Sequence, residues 1–168
     1  MADADPLVQF ADAATPPVVV TVAGPSDSGK TTLVVDLLAA IADDYRVGTV
    51  KSIHHDIEPD TPGKDTHKHR TAGAETAVGI TPSYTFEVTP GGKADGEAQA
   101  LAATLSRLAG RGFDLVLVEG FSEAPLPTIR VGDPAARDHA GTVIGTDDDS
   151  VAELVDRLEA RIKTAGDA

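Results

Sequence analysis

The sequence predicts an α/β fold: a mostly parallel sheet flanked by helices, in three layers. Three observations carry that expectation. Val18–Ala23 and "FDLVLVEG" (residues 113–120) are apolar on both faces, the pattern of strands covered on both sides. Strand and helix patterns alternate along the chain. The first apolar run ends in a glycine-rich turn that opens directly into an amphipathic stretch.

The elements follow in order. Val18–Ala23 is β-branched and continuous, a buried strand. Val34, Leu37, Leu38 and Ile41 recur at helical spacing. "RVGTVKS" (46–52) reads as a second strand, and a polar stretch follows to about Lys64. A short helix is expected over Asp65–Ala74. "AVGIT" and "SYTFEV" are short strands joined by Pro82, and "TPGGKADGE" (89–97) is an exposed loop. Ala98, Leu101, Ala102, Leu105 and Leu108 mark the next helix. After "FDLVLVEG" come two weaker strands, "PTIRV" and "TVIGT". Ser150 and Glu153 form a capping box that opens a last helix bearing Val151, Leu154, Val155, Leu158 and Ile162. Residues 1–15 read as a loose acidic tail, and residues 16–168 as one domain.

Composition narrows the function. A hydrophobic fraction of 41% over 168 residues supports a globular core. No apolar run approaches the roughly 20 residues that span a bilayer, and the N-terminus lacks the charge and apolar core of a signal peptide. With no cysteine, disulfides and thiolate metal sites are excluded, and a cytoplasmic setting is expected. A formal charge of −13 disfavours nucleic acid and anionic membranes as partners. Abundant Asp, scarce Lys and no Asn resemble the surfaces of halophilic proteins, where salt screens self-repulsion.

The glycine-rich turn reads "GPSDSGKTT", from Gly24 to Thr32. It satisfies G-x-x-x-x-G-K-[ST], the P-loop pattern, so the expected architecture is that of a P-loop NTPase. Backbone amides of Gly24, Ser26, Asp27, Ser28 and Gly29 would cradle phosphate, with Lys30 on the β- and γ-phosphates and Thr32 beside them. The Thr31 hydroxyl suits Mg²⁺, which prefers oxygen ligands. Pro25 stands where deviant P-loop ATPases carry their signature lysine. The acidic partner is expected at the carboxyl end of a neighbouring strand. That selects Glu119 over Asp114, to hold Mg²⁺ or to orient an attacking water. The guanine-reading string [NT]-K-x-D is absent, and Asp147, just past a late strand, is the candidate acceptor for a guanine base. An equally good account of Asp147 is an acid placed before a helix N-terminus.

One island breaks the acidic pattern. Residues 50–70, "VKSIHHDIEPDTPGKDTHKHR", hold Lys51, Lys64, Lys68, Arg70 and four of the five histidines. Lys64 and Arg70 are phosphate donors by chemistry, and Asp56 and Asp65 are candidates to bind or orient Mg²⁺. A transition-metal site is the rival reading. Against it, His54 and His55 are adjacent and His67 and His69 are two apart, so neither pair shares a face.

Taken together, "GPSDSGKTTL", "VGTVKSIHHD", "DTPGKDTHKHRTAGA" and "DLVLVEGF" resemble the molybdopterin-guanine dinucleotide biosynthesis protein B family, P-loop GTP-binding adapters, over residues 18 to about 121. The resemblance implies a homodimeric α/β protein that binds GTP with Mg²⁺ and hydrolyses it slowly. It implies assistance to the molybdenum cofactor guanylyltransferase that joins GMP to molybdopterin, itself a possible ligand. It places phosphate on Gly24–Thr32, the acid near Mg²⁺ at Glu119, and an adjacent site at Lys64, Asp65 and Arg70. Two alternatives compete. One is a small P-loop kinase or an ATP-dependent ligase of the dethiobiotin-synthetase type. The other is a nickel-delivery GTPase, weakened by the missing cysteines and [NT]-K-x-D.

Overall fold

A computed structural model describes residues 16–133 and 139–166; the acidic tail expected over 1–15 lies outside them. The chain divides into two compact units, one formed by residues up to Ser52 and from Glu97, the other by Ile53–Gly96.

In the first unit, β1 (Val18–Ala23), β2 (Val47–Lys51), β5 (Leu115–Glu119), β6 (Thr128–Arg130) and β7 (Val143–Thr146) form one sheet in the order β2-β5-β1-β6-β7. Every pairing is parallel. All carboxyl ends therefore share one edge: Ala23, Lys51, Glu119, Arg130 and Thr146. The runs that read as doubly apolar sit centrally, since β5 is buried at every residue.

Helices cover both faces. Val20, Val22, Leu115, Leu117, Ile129 and Val131 pack with Val34, Leu37 and Ile41 of α1 (Lys30–Ile41) and Leu154 and Leu158 of α4 (Val151–Gly166). The alternate residues Val19, Val116 and Val118 pack on the other face with Leu101, Ala102 and Leu105 of α3 (Glu97–Ala109). The strand period of two thus sorts each side chain to one face or the other. Ser150 caps α4 as expected: its Oγ accepts from the Glu153 amide (3.3 Å), and Glu153 Oε2 accepts from the Ser150 amide (2.8 Å).

The second unit holds α2 (Asp65–Thr71), three residues shorter than the helix expected to Ala74, because the chain turns through Gly73 at φ 108°. It also holds an antiparallel hairpin, β3 (Ala77–Ile80) with β4 (Thr85–Val88), which forms a separate two-stranded sheet. Ala77 and Gly79 are the buried residues of β3, while Val78, Ile80 and nearby Tyr84 are exposed. Among the described residues, no helix is long and apolar enough to cross a membrane.

Candidate functional site

The loop between β1 and α1 is a tight turn built on glycine, ending at the N-terminus of α1. A Cβ on Gly24 would stand 2.1 Å from the Val131 carbonyl oxygen, so only glycine fits there. Gly29 caps α1 in the left-handed region (φ 94°), and Asp27 also takes positive φ (59°), which aspartate tolerates. The Ser28 hydroxyl is buried without a hydrogen-bond partner. A buried, unsatisfied hydroxyl inside a glycine-built loop at a helix N-terminus fits a site meant to receive an anion. Lys30 Nζ donates to the Pro25 carbonyl, folding its charge back over the loop.

Glu119 closes the site from β5. Only 7% of the residue is exposed. Its Oε1 accepts from Thr31 Oγ1 at 2.7 Å and pairs with Lys51 Nζ. Strand register makes this possible: Lys51 and Glu119 are paired Cα partners at the carboxyl ends of β2 and β5. Burial pushes the Glu119 carboxyl upward. Hydrogen bonds from Lys51 and Thr31, with the charges of Lys51 and Lys30, outweigh it and hold the pKa below the ordinary 4.5. The carboxylate is therefore ionised and aimed at the P-loop threonine. Behind it Gly120 turns at φ 93°, where a Cβ would meet Ser52 Cβ at 2.8 Å, which accounts for the glycine in "VEGF". The structure brings together Thr31 and Glu119, two of the expected site residues; the sequence reading counted Lys51 only among the cations of the island and did not pair it with Glu119. Its signal was a lysine closing a strand that pairs with the Glu119 strand.

Asp147 lies one residue past β7, on the same edge. Its Oδ2 accepts from the Gly132 amide at 2.9 Å, tying the β6 and β7 ends together. The next-but-one residue, Asp149, holds Arg157 through both carboxylate oxygens (2.9 and 2.8 Å).

Asp56, Lys64, Asp65 and Arg70 belong to the second unit. Lys64 is exposed at the N-cap of α2. Arg70 is mostly buried and donates through Nη2 to Glu58, a partner the sequence reading passed over. Arg70 in turn leads the contacts that hold the Glu58 carboxyl below its usual range, and His67 Nε2 lies 3.7 Å from the other Glu58 oxygen. Among the described residues, no group of three His, Cys, Asp or Glu side chains gathers in a way that could hold a metal ion.

Comparison with known proteins adds independent findings. Residues 19–156 match the family described as molybdopterin guanine dinucleotide synthesis protein B. The chain is 37% identical over 106 residues to the molybdopterin-guanine dinucleotide biosynthesis adapter protein of Escherichia coli K12, covering 62% of this chain and 59% of that one. It is 36% identical over 112 residues to the Haemophilus influenzae protein of the same name, covering 64% and 59%. The match thus spans about three fifths of the length of each curated relative. Among solved structures, a molybdopterin-guanine biosynthesis protein B aligns with a TM-score of 0.68 at 23% identity, over 87% of this chain and 99% of that one. Bacillus subtilis MobB aligns with a TM-score of 0.60 at 21% identity, over 84% and 98%. These structural likenesses establish the fold.

Proposed function

The chain belongs to the molybdopterin guanine dinucleotide synthesis protein B family, and on that premise we propose that it is a GTP-binding adapter. In this reading it assists attachment of GMP to molybdopterin by a molybdenum cofactor guanylyltransferase in the cytoplasm, and hydrolyses GTP slowly. The observation that carries the nucleotide reading is the 2.7 Å bond from Thr31 Oγ1 to Glu119 Oε1. It joins a P-loop hydroxyl to a strand-end carboxylate, the oxygen ligands that suit Mg²⁺.

The amides of Gly24, Ser26, Asp27, Ser28 and Gly29, with Lys30 and Thr32, would hold the phosphates. Thr31 and Glu119 would hold Mg²⁺; Asp56, in the second unit, is a separate Mg²⁺ candidate. Bound Mg²⁺ neutralises phosphate charge. Glu119, kept ionised by Lys51 and Thr31, orients water at the phosphate end of the site. Asp147 reads guanine: its Oδ2 accepts from the Gly132 amide, and the remaining lone pairs of the carboxylate can accept from both base donors, so GTP is preferred over ATP. Competition of ATP against bound GTP measures that preference. Lys64, exposed at the start of α2, offers a cation to an anionic group of the cofactor or of the partner, with Asp65 and the Glu58-held Arg70 beside it in sequence. Homodimerisation uses the outward face of the β3–β4 hairpin, where Val78, Ile80 and Tyr84 are exposed. Sedimentation of Ile80→Glu, which should be monomeric where the wild type is dimeric, tests that surface.

The test of the function uses calorimetry with GTP and GDP, with and without Mg²⁺, together with cofactor formation by the guanylyltransferase. Lys30→Ala should bind triphosphate at least about tenfold more weakly, since it loses charge-assisted contacts. Addition of the wild-type chain should raise the yield of dinucleotide cofactor. Unchanged GTP affinity in Lys30→Ala would remove the P-loop from the site. Phosphate transfer to a small molecule, in place of free phosphate release, would make the chain a kinase.

A further inference from the structure

Arg130 ends β6, and its Cα is paired with Ala23, the residue just before the P-loop. Two of the described arginines are half-buried, Arg70 and Arg130. Arg70 has Glu58. Arg130 has no side-chain hydrogen bond or ion pair among the described residues, and its Nε is buried with no partner. That is costly: a desolvated guanidinium normally finds a carboxylate, and this chain carries 27 acidic residues. Leaving this one unpaired points to a partner that arrives from outside and carries negative charge.

The surroundings define the partner. Arg130 borders a small cavity together with Gly24, Pro25, Ser122, Asp133 and His139. The cavity, about 10 Å³, has room for one water-sized group, so one oxygen of an anion enters and the rest stays outside. The His139 ring is fixed by Nδ1, 3.1 Å from the Gly141 carbonyl, and Ser122 adds a hydroxyl to the wall. Asp133, the one acid in the lining, has a partner of its own.

Its orientation separates this place from the nucleotide site. Ile129 and Val131, on either side of Arg130, pack into the core with α1 and α4. Arg130 therefore alternates to the opposite face of the sheet. Glu119 shares the parity of Leu115 and Leu117, which face α1, and it meets Thr31 there. Arg130 thus leaves the sheet on the face opposite the one where Glu119 meets Thr31, and Gly24 and Pro25 of the loop border its cavity.

We propose that Arg130, with Ser122 and His139, is a second oxyanion site that takes the phosphate group of a molecule other than the one on the P-loop. Arginine suits this, since its fixed fork binds phosphate oxygens directionally even where salt screens long-range attraction. The inference does not depend on the adapter function, because it rests on an unpaired cation and a cavity.

The test follows the arginine Nε–H resonances by NMR while inorganic phosphate is added at constant ionic strength, with chloride as the control anion. The Arg130 signal is identified by its loss in Arg130→Lys. A saturable shift of that signal with phosphate and not chloride, retained in Lys30→Ala and in protein saturated with GDP, is the expected result. Arg130→Gln should weaken phosphate binding in Lys30→Ala protein by about tenfold or more. No shift, or an equal shift with chloride, overturns the site. A shift that vanishes in Lys30→Ala overturns its independence and makes Arg130 part of the P-loop cradle. Because the wild type itself supplies the first readout, a poorly folding variant does not decide the outcome.

Discussion

Lys51→Met tests whether the strand-end lysine keeps Glu119 charged and in place. The variant preserves the stem and removes the ammonium that pairs with Glu119 Oε1. Breaking a fully buried ion pair costs about 3–5 kcal/mol, while exposed pairs are worth about 0.2–1 kcal/mol. Here the Glu119 side chain is 8% exposed and Lys51 is 53% exposed, so the pair is half-screened. An intermediate loss of about 1–2 kcal/mol at neutral pH is expected. The pH dependence is sharper evidence. The native Glu119 pKa lies below 4.5, so the stability that it contributes is complete above 4.5 and lost as pH falls through the native value. Without Lys51, burial is opposed only by Thr31 and the charge of Lys30, and the native pKa rises. Wild type and variant should therefore differ most near neutrality and converge as pH falls below 4.5. Urea unfolding across that range, in salt high enough to screen a net charge of −13, measures the difference. A stability gap that stays constant down to the lowest pH where both proteins fold would mean that Lys51 acts through packing and not through the Glu119 charge.

Gly24→Ala should cost about 1–3 kcal/mol and weaken nucleotide binding, because its Cβ would sit 2.1 Å from the rigid Val131 carbonyl; thermal melts with and without GDP measure both. Glu119→Gln should bind GTP nearly as the wild type does and release phosphate at least about tenfold more slowly in single-turnover assays. Ser150→Ala should remove the α4 cap at a cost of about 1 kcal/mol, a fall in Tm of about 2–4 °C by calorimetry, with GTP affinity unchanged.

What the sequence made legible was local. β1, the P-loop and α1 are contiguous, and their chemistry is written in nine residues, Gly24 to Thr32. The capping box at Ser150 spans four residues and is read the same way. Glu119 was reachable by one further rule, that ligands gather at the carboxyl ends of parallel strands. Beyond that, partners are set by strand order, which periodicity does not encode. Lys51 meets Glu119 because β2 lies beside β5, although 68 residues separate them. The sequence groups Lys51 with Lys64 and Arg70 as one cationic island. The fold divides them: Lys51 closes the carboxylate of the first unit, and Arg70 is spent on Glu58 in the second. Arg130 shows the converse. "PTIRV" reads only as a weak strand, with no role for its arginine. Parallel pairing of β6 with β1 sets Arg130 beside Ala23, just before the P-loop, and alternation turns it to the face that α1 does not cover. A charge count treats these three cations alike. Their chemistry differs because one faces a buried carboxylate, one a surface glutamate, and one a cavity that holds no carboxylate free to pair with it.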